Sequence, residues 1–202
     1  EDERFWQHVG SWHVRLRRAV FYNVQEGEIV SGFSSIPQQV ARLVLLSPEE
    51  RFEQSLRRKI REVVLASEIS RRYPKRDILE IYLNEINYGS LAYGIAAAAD
   101  TYFGKKPGDL TLAEAALLAG LPQAPAYWDP YADLEHAKRR QAVVLDLMVD
   151  AGYISRAQAD AALQEELALQ PLEFNAFNMT VDVCVQQLLE QKYGADVLYR
   201  SG

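Results

Sequence analysis

Helix start and stop signals recur along this chain, and they constrain its fold more than any other feature. Ser47-Pro48-Glu49-Glu50 combines a capping hydroxyl, a proline at the first helical position and a glutamate at the third. Tyr73-Pro74 predicts the end of the helix that begins there. Between these signals, four apolar residues repeat at helical spacing: Leu56, Ile60, Val63 and Val64.

The same capping pattern returns further along the chain. Thr111 with Glu114 and Ser155 with Gln158 each predict the start of another helix. Strand signals are scarce, and only residues 27–32 suggest a small hairpin. The sequence therefore predicts a mainly α fold in a single domain over residues 1–202, with at most a small β-hairpin.

The distribution of charge indicates an anionic ligand. The chain has a net charge of −6, but residues 51–76 carry nine basic and three acidic side chains, a local charge of +6. A basic segment in an acidic protein favours a local anionic ligand over general nucleic-acid binding. No apolar run is long enough to span a bilayer by itself.

Two glutamates are candidate catalytic residues. If the first residues form a helix, Glu1, Phe5 and His8 share one face. An aromatic ring and a histidine beside the Glu1 carboxyl group could adjust its proton affinity for a role as general base. The simpler interpretation is that Glu1 complements a helix N-terminus. Arg58 and Glu62 lie four residues apart, so Glu62 is either half of an ordinary helical ion pair or a carboxylate positioned among cations. Sequence spacing leaves both questions open.

A polar loop that leads into a helix is a third candidate. In residues 32–42 a glycine is followed by hydroxyls, two amides and a cation, including Ser34, Gln38, Gln39 and Arg42. A loop of this kind presents hydrogen-bond donors to an anion at a helix N-terminus. A surface turn before a capped helix explains the same pattern equally well.

Five blocks of the chain contain these candidates in a characteristic order. The blocks are Glu1-Asp2-x-x-Phe5-x-x-His8-x-Gly10, Gly32-x-Ser34-Ser35-Ile36-x-Gln38-Gln39-x-x-Arg42, Arg58-Lys59-x-x-Glu62, Lys75-x-x-Ile78-Leu79-Glu80-x-Tyr82-Leu83-Asn84 and Leu112-x-Glu114-Ala115-Ala116-Leu117-Leu118-Ala119-Gly120-Leu121-Pro122. In this order and spacing they resemble the peptidoglycan glycosyltransferase family, the transglycosylase domain of class A penicillin-binding proteins and of monofunctional transglycosylases. The resemblance covers almost the whole chain.

The resemblance implies a lysozyme-like helical fold and an inverting reaction. In that reaction a lipid-linked disaccharide-peptide (lipid II) is polymerised into peptidoglycan glycan strands, and polyprenyl pyrophosphate is released. By the resemblance, Glu1 is the general base, and Glu62 orients or stabilises the pyrophosphate end. Arg42, Arg58 and Lys59 would hold the charge of the leaving group. Neutral donors would lie along the same groove: Ser34, Gln38 and Gln39.

The chain also departs from the family pattern. The altered positions are Trp12, Phe33, Pro37, Arg42, Leu43 and Gln54. Pro37 removes a backbone donor as well as the hydroxyl of the usual threonine. Arg42 replaces a lysine, which keeps the charge and changes its shape. These departures leave open whether the domain is fully active.

Two other functions are compatible with the sequence. A lysozyme-like peptidoglycan hydrolase would use water instead of a sugar hydroxyl, but its neutral leaving group has no need of a cationic segment. A divergent, low-activity scaffold would bind the lipid-linked precursor without polymerising it.

No tightly bound cofactor is expected. His8, His13 and His136 show no metal-ligand spacing, and a divalent cation (Mg or Mn) near Glu62 is the one metal that stays open. The partners implied by the resemblance are lipid II, the growing glycan strand, a membrane surface and a covalently linked transpeptidase domain, without nucleic acid. The implied location is the extracytoplasmic face of a bacterial cell membrane, in a longer membrane-anchored protein. Apolar residues among arginines at residues 14–22 are the candidate lipid contact.

Overall fold

The computed structural model describes residues 2, 5–7, 34–53 and 55–171. These residues form α-helices joined by short turns, and they contain no β-strand. The α-helices are α1 Ile36–Val40, α2 Pro48–Phe52, α3 Leu56–Arg72, α4 Lys75–Glu85, α5 Ile95–Phe103, α6 Leu112–Gly120, α7 Leu134–Asp150 and α8 Arg156–Gln164. A π-helical turn, Ala41–Leu45, follows α1, and 3₁₀ turns occupy Phe5–Gln7, Pro107–Asp109 and Leu121–Gln123. The predicted mainly α fold is confirmed, whereas the hairpin predicted at residues 27–32 lies outside the described residues.

These elements belong to one compact unit, Glu1–Leu169, which is distinguished from a second unit, Gln170–Gly202. No helix among the described residues is long and apolar enough to cross a membrane.

The predicted capping residues begin their helices as expected. Ser47 Oγ accepts a hydrogen bond from the backbone N–H of Glu50, and Thr111 Oγ1 accepts one from that of Glu114. In both pairs the glutamate carboxylate accepts the N–H of the capping residue in return. These reciprocal bonds satisfy donors that a helix N-terminus otherwise leaves unpaired. Local sequence therefore determines where these helices begin.

The segment predicted as one helix from Ser47 onward is two helices in the structure. α2 ends at Phe52, and the backbone of Glu53 and Ser55 is extended, with ψ angles of 123° and 149°. Ser55 then caps α3, since its side chain accepts a hydrogen bond from Arg58 N at 3.1 Å. A second capping serine within the segment provides the physical reason for the break. The predicted end at Tyr73 is confirmed, because α3 ends at Arg72.

The apolar repeat on α3 does not mark its buried face. Of the four apolar residues in the repeat, only Val63 is buried, while Leu56, Ile60 and Val64 are 50%, 50% and 59% exposed. The buried face carries Glu62, Val63, Ala66 and Ile69. The helix therefore presents a carboxylate to the interior and a row of apolar side chains to the surface.

Pro37, one of the departures from the family pattern, fits the start of α1. Ser35 is the N-cap of this helix, so Pro37 lies in its first turn. Backbone N–H groups in the first turn have no partner within a helix, and proline is therefore tolerated there. Leu43, another departure, is partly buried against the core. Both substitutions are compatible with the fold. Arg42, also altered in this block, lies on the π-helical turn after α1, whereas Trp12, Phe33 and Gln54 lie outside the described residues.

The centre of the core is α6, which is apolar on most of its surface. Its buried residues include Ala113, Ala116, Leu117 and Leu118. α7 packs closely against its end, because a Cβ on Gly120 would lie 2.8 Å from Cγ of Arg140. A helix that is apolar on all sides needs neighbours on all sides, which accounts for its central place.

A tight turn reverses the chain between α4 and α5. The backbone N–H of Tyr88 donates to Ala92 O at 2.9 Å, and that of Gly94 donates to Ile86 O at 2.9 Å. Gly94 has a φ of +84°, and a Cβ at this position would lie 2.5 Å from the carbonyl oxygen of Asn84. Only glycine fits that approach without moving backbone atoms.

Candidate active site

Glu62 is the buried charge around which the candidate site is built. Glu62 is 0% exposed, and it lies on the face of α3 that packs toward the interior. Two cations from the preceding turn of the same helix approach it. Lys59 Nζ lies 3.0 Å from Oε2, and Arg58 NH1 lies 3.7 Å from Oε1. The spacings of three and four residues on one helix allow α3 to bury this carboxylate together with its own counterions.

Lys59 connects α3 to the polar loop before α1. Its ammonium donates to Ser34 Oγ at 2.5 Å as well as to Glu62 Oε2. The side chains of Lys59 and Arg58 are 22% and 12% exposed, so both cations reach the surface from a buried anchor. The structure thus brings Ser34, from the second sequence block, into contact with Lys59 of the third block, which also contains Arg58 and Glu62.

Arg58 has a second anchor on α2. Its NH1 group donates to the carbonyl oxygen of Arg51 at 2.7 Å, and Arg61 forms an ion pair with Glu50 across the same two helices. The break between α2 and α3 makes this contact available, because Arg51 lies in the last turn of α2, where carbonyl groups lack helical partners. This anchor is not apparent from the sequence, since a single continuous helix would have placed Arg51 elsewhere.

Two buried atoms of the site have no hydrogen-bond partner within the described chain. They are Arg58 Nε and Glu62 Oε1. A buried donor and a buried acceptor without partners are costly. They lie in the same cluster, which is therefore suited to a polar ligand or water.

The two glutamines bind backbone groups at the start of α1, and their role as donors to a substrate stays a prediction. Gln38 Oε1 accepts a hydrogen bond from Ser35 N at 2.9 Å, so this amide caps α1. Gln39 is buried, and its Nε2 donates to Ser34 O at 3.3 Å. Both amides therefore shape the loop that presents the Ser34 hydroxyl. Arg42 lies partly exposed on the π-helical turn and takes no part in the hydrogen bonds that join Ser34, Lys59 and Glu62.

Glu1 lies outside the described residues, but the residues after it contact the same region. The carboxylate of Asp2 accepts a hydrogen bond from the N–H of Ile36 at 3.4 Å. Ile36 is the first residue of α1 and lies two residues after Ser34. Phe5 is 5% exposed within the hydrophobic core. The first sequence block and the Lys59–Glu62 pair therefore both contact the start of α1.

No group of three or more His, Cys, Asp or Glu side chains in the described part of the chain is placed to hold a metal ion. A shallow groove of about 230 Å³ runs along α4 and reaches α5. It is lined by Arg76, Leu79, Glu80, Leu83, Asn84 and Ile95. None of these residues belongs to the predicted site, and the cluster around Glu62 has the stronger chemical case because it concentrates cations.

The chain matches a known protein family. The family model described as Transglycosylase matches residues 1–149. The chain belongs to the transglycosylase family. The match includes both predicted catalytic glutamates and all predicted substrate-binding residues. The resemblance stated from the five blocks is thus confirmed, and so is the prediction of a peptidoglycan glycosyltransferase at the level of the family.

The relatives of this transglycosylase domain are bacterial penicillin-binding proteins. Penicillin-binding protein 1A of Neisseria flavescens is 45% identical over 198 residues, which cover 97% of this chain and 24% of that protein. The protein of the same name from Haemophilus influenzae is 42% identical over 206 residues, covering 100% of this chain and 23% of the relative. Its 2.6 Å crystal structure aligns with 33% identity and a TM-score of 0.49 over 84% of this chain and 21% of that one. The chain spans about a quarter of the length of the curated relatives it matches.

Proposed function

We propose that this transglycosylase domain polymerises lipid II into peptidoglycan glycan strands with inversion at the anomeric carbon and release of polyprenyl pyrophosphate. The observation that carries the proposal is the buried Glu62, which pairs with Arg58 and with Lys59, and Lys59 also contacts the Ser34 hydroxyl. A diphosphate leaving group is multiply anionic, and preorganised cations lower the barrier to its departure.

Glu1 is the general base in this mechanism. It removes the proton from the 4-hydroxyl of one sugar as that oxygen attacks the anomeric carbon of another chain. The bond from the anomeric carbon to the pyrophosphate oxygen breaks, and the leaving group keeps the electron pair. The hydrogen bond from Ile36 to Asp2 supports this role, because it fixes the residue next to Glu1 near the start of α1.

Lys59 and Arg58 receive the departing pyrophosphate. Each has one anchor on Glu62, and each has a second anchor elsewhere, on Ser34 for Lys59 and on the Arg51 carbonyl for Arg58. Glu62 is too deeply buried to touch a large substrate, so its role is to orient the two cations. Arg42, partly exposed on the turn after α1, adds positive charge on the approach to them. Ser34 supplies a neutral donor, whereas Gln38 and Gln39 act by shaping its loop.

A divalent cation accompanying the diphosphate would meet Glu62 only if this buried carboxylate became accessible. Within the cluster around Glu62, Glu62 Oε1 is a buried carboxylate oxygen without a hydrogen-bond partner. That oxygen would then hold an ion such as Mg²⁺ or Mn²⁺, a kind of ion that usually keeps phosphate and water ligands. The ion would neutralise charge on the leaving group.

The proposed setting is a longer protein at the extracytoplasmic face of a bacterial membrane. The relatives are penicillin-binding proteins about four times as long as this chain, which supports a linked transpeptidase domain beside a transglycosylase domain at residues 1–202.

Membrane contact follows from a lipid-linked substrate. The candidate contact at residues 14–22 lies outside the described residues. Liposome flotation of a variant with Val14, Leu16, Val20 and Phe21 changed to serine tests it, and unchanged flotation would count against it.

A polymerisation assay with purified lipid II tests the function. Wild type should form glycan strands, and Glu1→Gln should still bind precursor but polymerise it only at a small residual rate. Fragments released from polymeric peptidoglycan would favour the hydrolase instead. Precursor binding by wild type without any polymer would favour the scaffold.

A further inference from the structure

Lys75 makes a contact that the mechanism above does not use. Its ammonium donates to two consecutive backbone carbonyls, Phe5 O at 2.6 Å and Trp6 O at 2.7 Å. The same ammonium lies 5.7 Å from the centre of the Phe5 ring. Lys75 is the first residue of α4 and is 70 positions away from Phe5 in the chain. The contact is therefore a long-range tertiary link between the fourth and the first sequence blocks.

Lys75 lies at a helix position where a cation is unfavourable, and a tertiary contact compensates for this. A cation at the first position of a helix is unfavourable with respect to the helix dipole. The carbonyl groups of Phe5 and Trp6 belong to a single 3₁₀ turn, Phe5–Gln7, and carbonyls of such a short element lack helical partners. The ammonium satisfies both of them at once. Anchoring this turn is thus the interaction that offsets the unfavourable position of the charge.

The turn is also anchored at its start. Asp2 accepts the N–H of Ile36, and the ring of Phe5 is buried in the core. Asp2 is therefore attached to α1, and Phe5 and Trp6 are attached to α4. Glu1 precedes Asp2 by one peptide bond, which sets its Cα about 3.8 Å from that of Asp2.

The proposed leaving-group site also contacts the start of α1. Ser34, two residues before Ile36, accepts the ammonium of Lys59, which in turn is held by Glu62. The segment after Glu1 and the cations on α3 are thus both attached to the start of α1. A shift of residues 2–6 would change the distance between base and leaving group without touching the cations.

We propose that Lys75 is a positioning residue for glycosyl transfer, which holds the Phe5 and Trp6 carbonyls so that Glu1 meets the incoming hydroxyl in line with the leaving pyrophosphate. This inference rests on the proposed function, since it requires Glu1 to be the base. A displacement of about 1 Å at a reacting group lowers a rate by about 100-fold. Loss of the Lys75 anchor should therefore lower kcat rather than substrate binding.

Lys75→Met in the full chain is the first variant, because methionine keeps an unbranched apolar stem against the Phe5 ring and removes the donors. We expect kcat for lipid II polymerisation to fall about 10- to 100-fold. The affinity for polyprenyl pyrophosphate should stay within about twofold of wild type, because the cations that bind it, Arg58 and Lys59, lie on α3. Lys75→Arg should restore most of the rate, since a guanidinium also binds two carbonyls. Lys138→Met, on the surface of α7, is the matched control and should behave as wild type. Equal kcat values for Lys75→Met and Lys138→Met would overturn the inference.

A double variant separates positioning from general damage. If Lys75 acts through Glu1, Glu1→Gln/Lys75→Met should have the same residual rate as Glu1→Gln alone. A further loss in the double variant would show that Lys75 acts independently of the base and would overturn the inference. Polymerisation by Glu1→Gln at the wild-type rate would remove the proposed base, and the failure would then lie with the proposed function.

Hydrogen exchange gives a readout that does not depend on activity. Lys75→Met should speed amide exchange in residues 2–7, while peptides from α6 and α7 keep the exchange rates of wild type. Unchanged exchange in residues 2–7 would show that Lys75 does not hold the turn and would overturn the inference.

Discussion

Lys59 and Glu62 form an ion pair of 3.0 Å in which the carboxylate is buried and the ammonium reaches the surface. The two partners differ in accessibility, because the carboxylate is inaccessible to a ligand and the ammonium is accessible. A carboxylate in this position lowers the cost of keeping two cations side by side and fixes where they point. The arrangement is suited to a leaving group that gains negative charge as its bond breaks.

The first prediction concerns the orienting role of Glu62. Glu62→Gln keeps the shape of the side chain and removes its charge, so Lys59 and Arg58 lose their common anchor. We expect kcat/KM for lipid II to fall about 100- to 1,000-fold, as for loss of a preorganised charge-stabilising group. Steady-state polymerisation kinetics measure this.

Glu68→Gln is the matched control for that change. Glu68 lies on the same helix, where hydrogen bonds from Arg71 and Arg72 lower its pKa to about 2, but it faces solvent. Its removal should leave kcat/KM unchanged. Equal kinetics for Glu62→Gln and Glu68→Gln would contradict the assigned role of Glu62.

The second prediction separates charge from hydrogen bonding at the pyrophosphate site. Lys59→Met should weaken competitive inhibition by inorganic pyrophosphate, and most strongly at low ionic strength, because a cation is lost. Ser34→Ala keeps every cation but removes the hydroxyl that donates to pyrophosphate and accepts from Lys59. A loss of about 1 kcal/mol should weaken inhibition about fivefold, with little dependence on ionic strength because no charge is lost. Inhibition constants at two salt concentrations measure both effects. If the two variants showed the same salt dependence, Lys59 would not be the pyrophosphate contact.

The third prediction concerns the turn between α4 and α5. Gly94→Ala forces a Cβ to within 2.5 Å of the Asn84 carbonyl oxygen at a φ of +84°. We expect a loss of about 2 kcal/mol or more, and a fall in Tm of about 4–8 °C for a chain of this size. Gly108→Ala is the control, because a Cβ there meets nothing within 4 Å. Thermal unfolding by circular dichroism compares them, and equal Tm values would show that the close approach does not constrain the turn.

The fourth prediction concerns stability at alkaline pH. Burial raises the pKa of Tyr102 from 10.0 to about 12, and its hydroxyl donates to Tyr88 O at 3.0 Å. The folded protein therefore holds this proton more tightly than the unfolded chain. The resulting stabilisation is complete below pH 10 and is lost as the pH rises to about 12.

Tyr102→Phe tests this dependence. The variant should be about 1 kcal/mol less stable at pH 8, because it lacks the hydrogen bond. It should lose less stability than wild type between pH 10 and pH 12. Urea unfolding at a series of pH values measures both. Parallel stability curves for the two proteins would mean that Tyr102 does not contribute to the alkaline loss.

Recognition of the site from sequence succeeded where its parts lie on one helix. Arg58, Lys59 and Glu62 are three and four residues apart, and α3 brings them together as the spacing indicated. The sequence did not indicate that the amides of Gln38 and Gln39 bind backbone groups at the start of α1. A sequence shows that an amide is present but not which donor or acceptor is nearest to it.

The sequence by itself determined the helix starts at Ser47 and Thr111 and the end of α3 before Pro74, because these depend on bonds and steric contacts within a few residues. Tertiary structure alone decided that α3 turns Glu62 inward and that Lys59 meets Ser34. The reason is distance along the chain, because such contacts form only when separate helices pack on a common core.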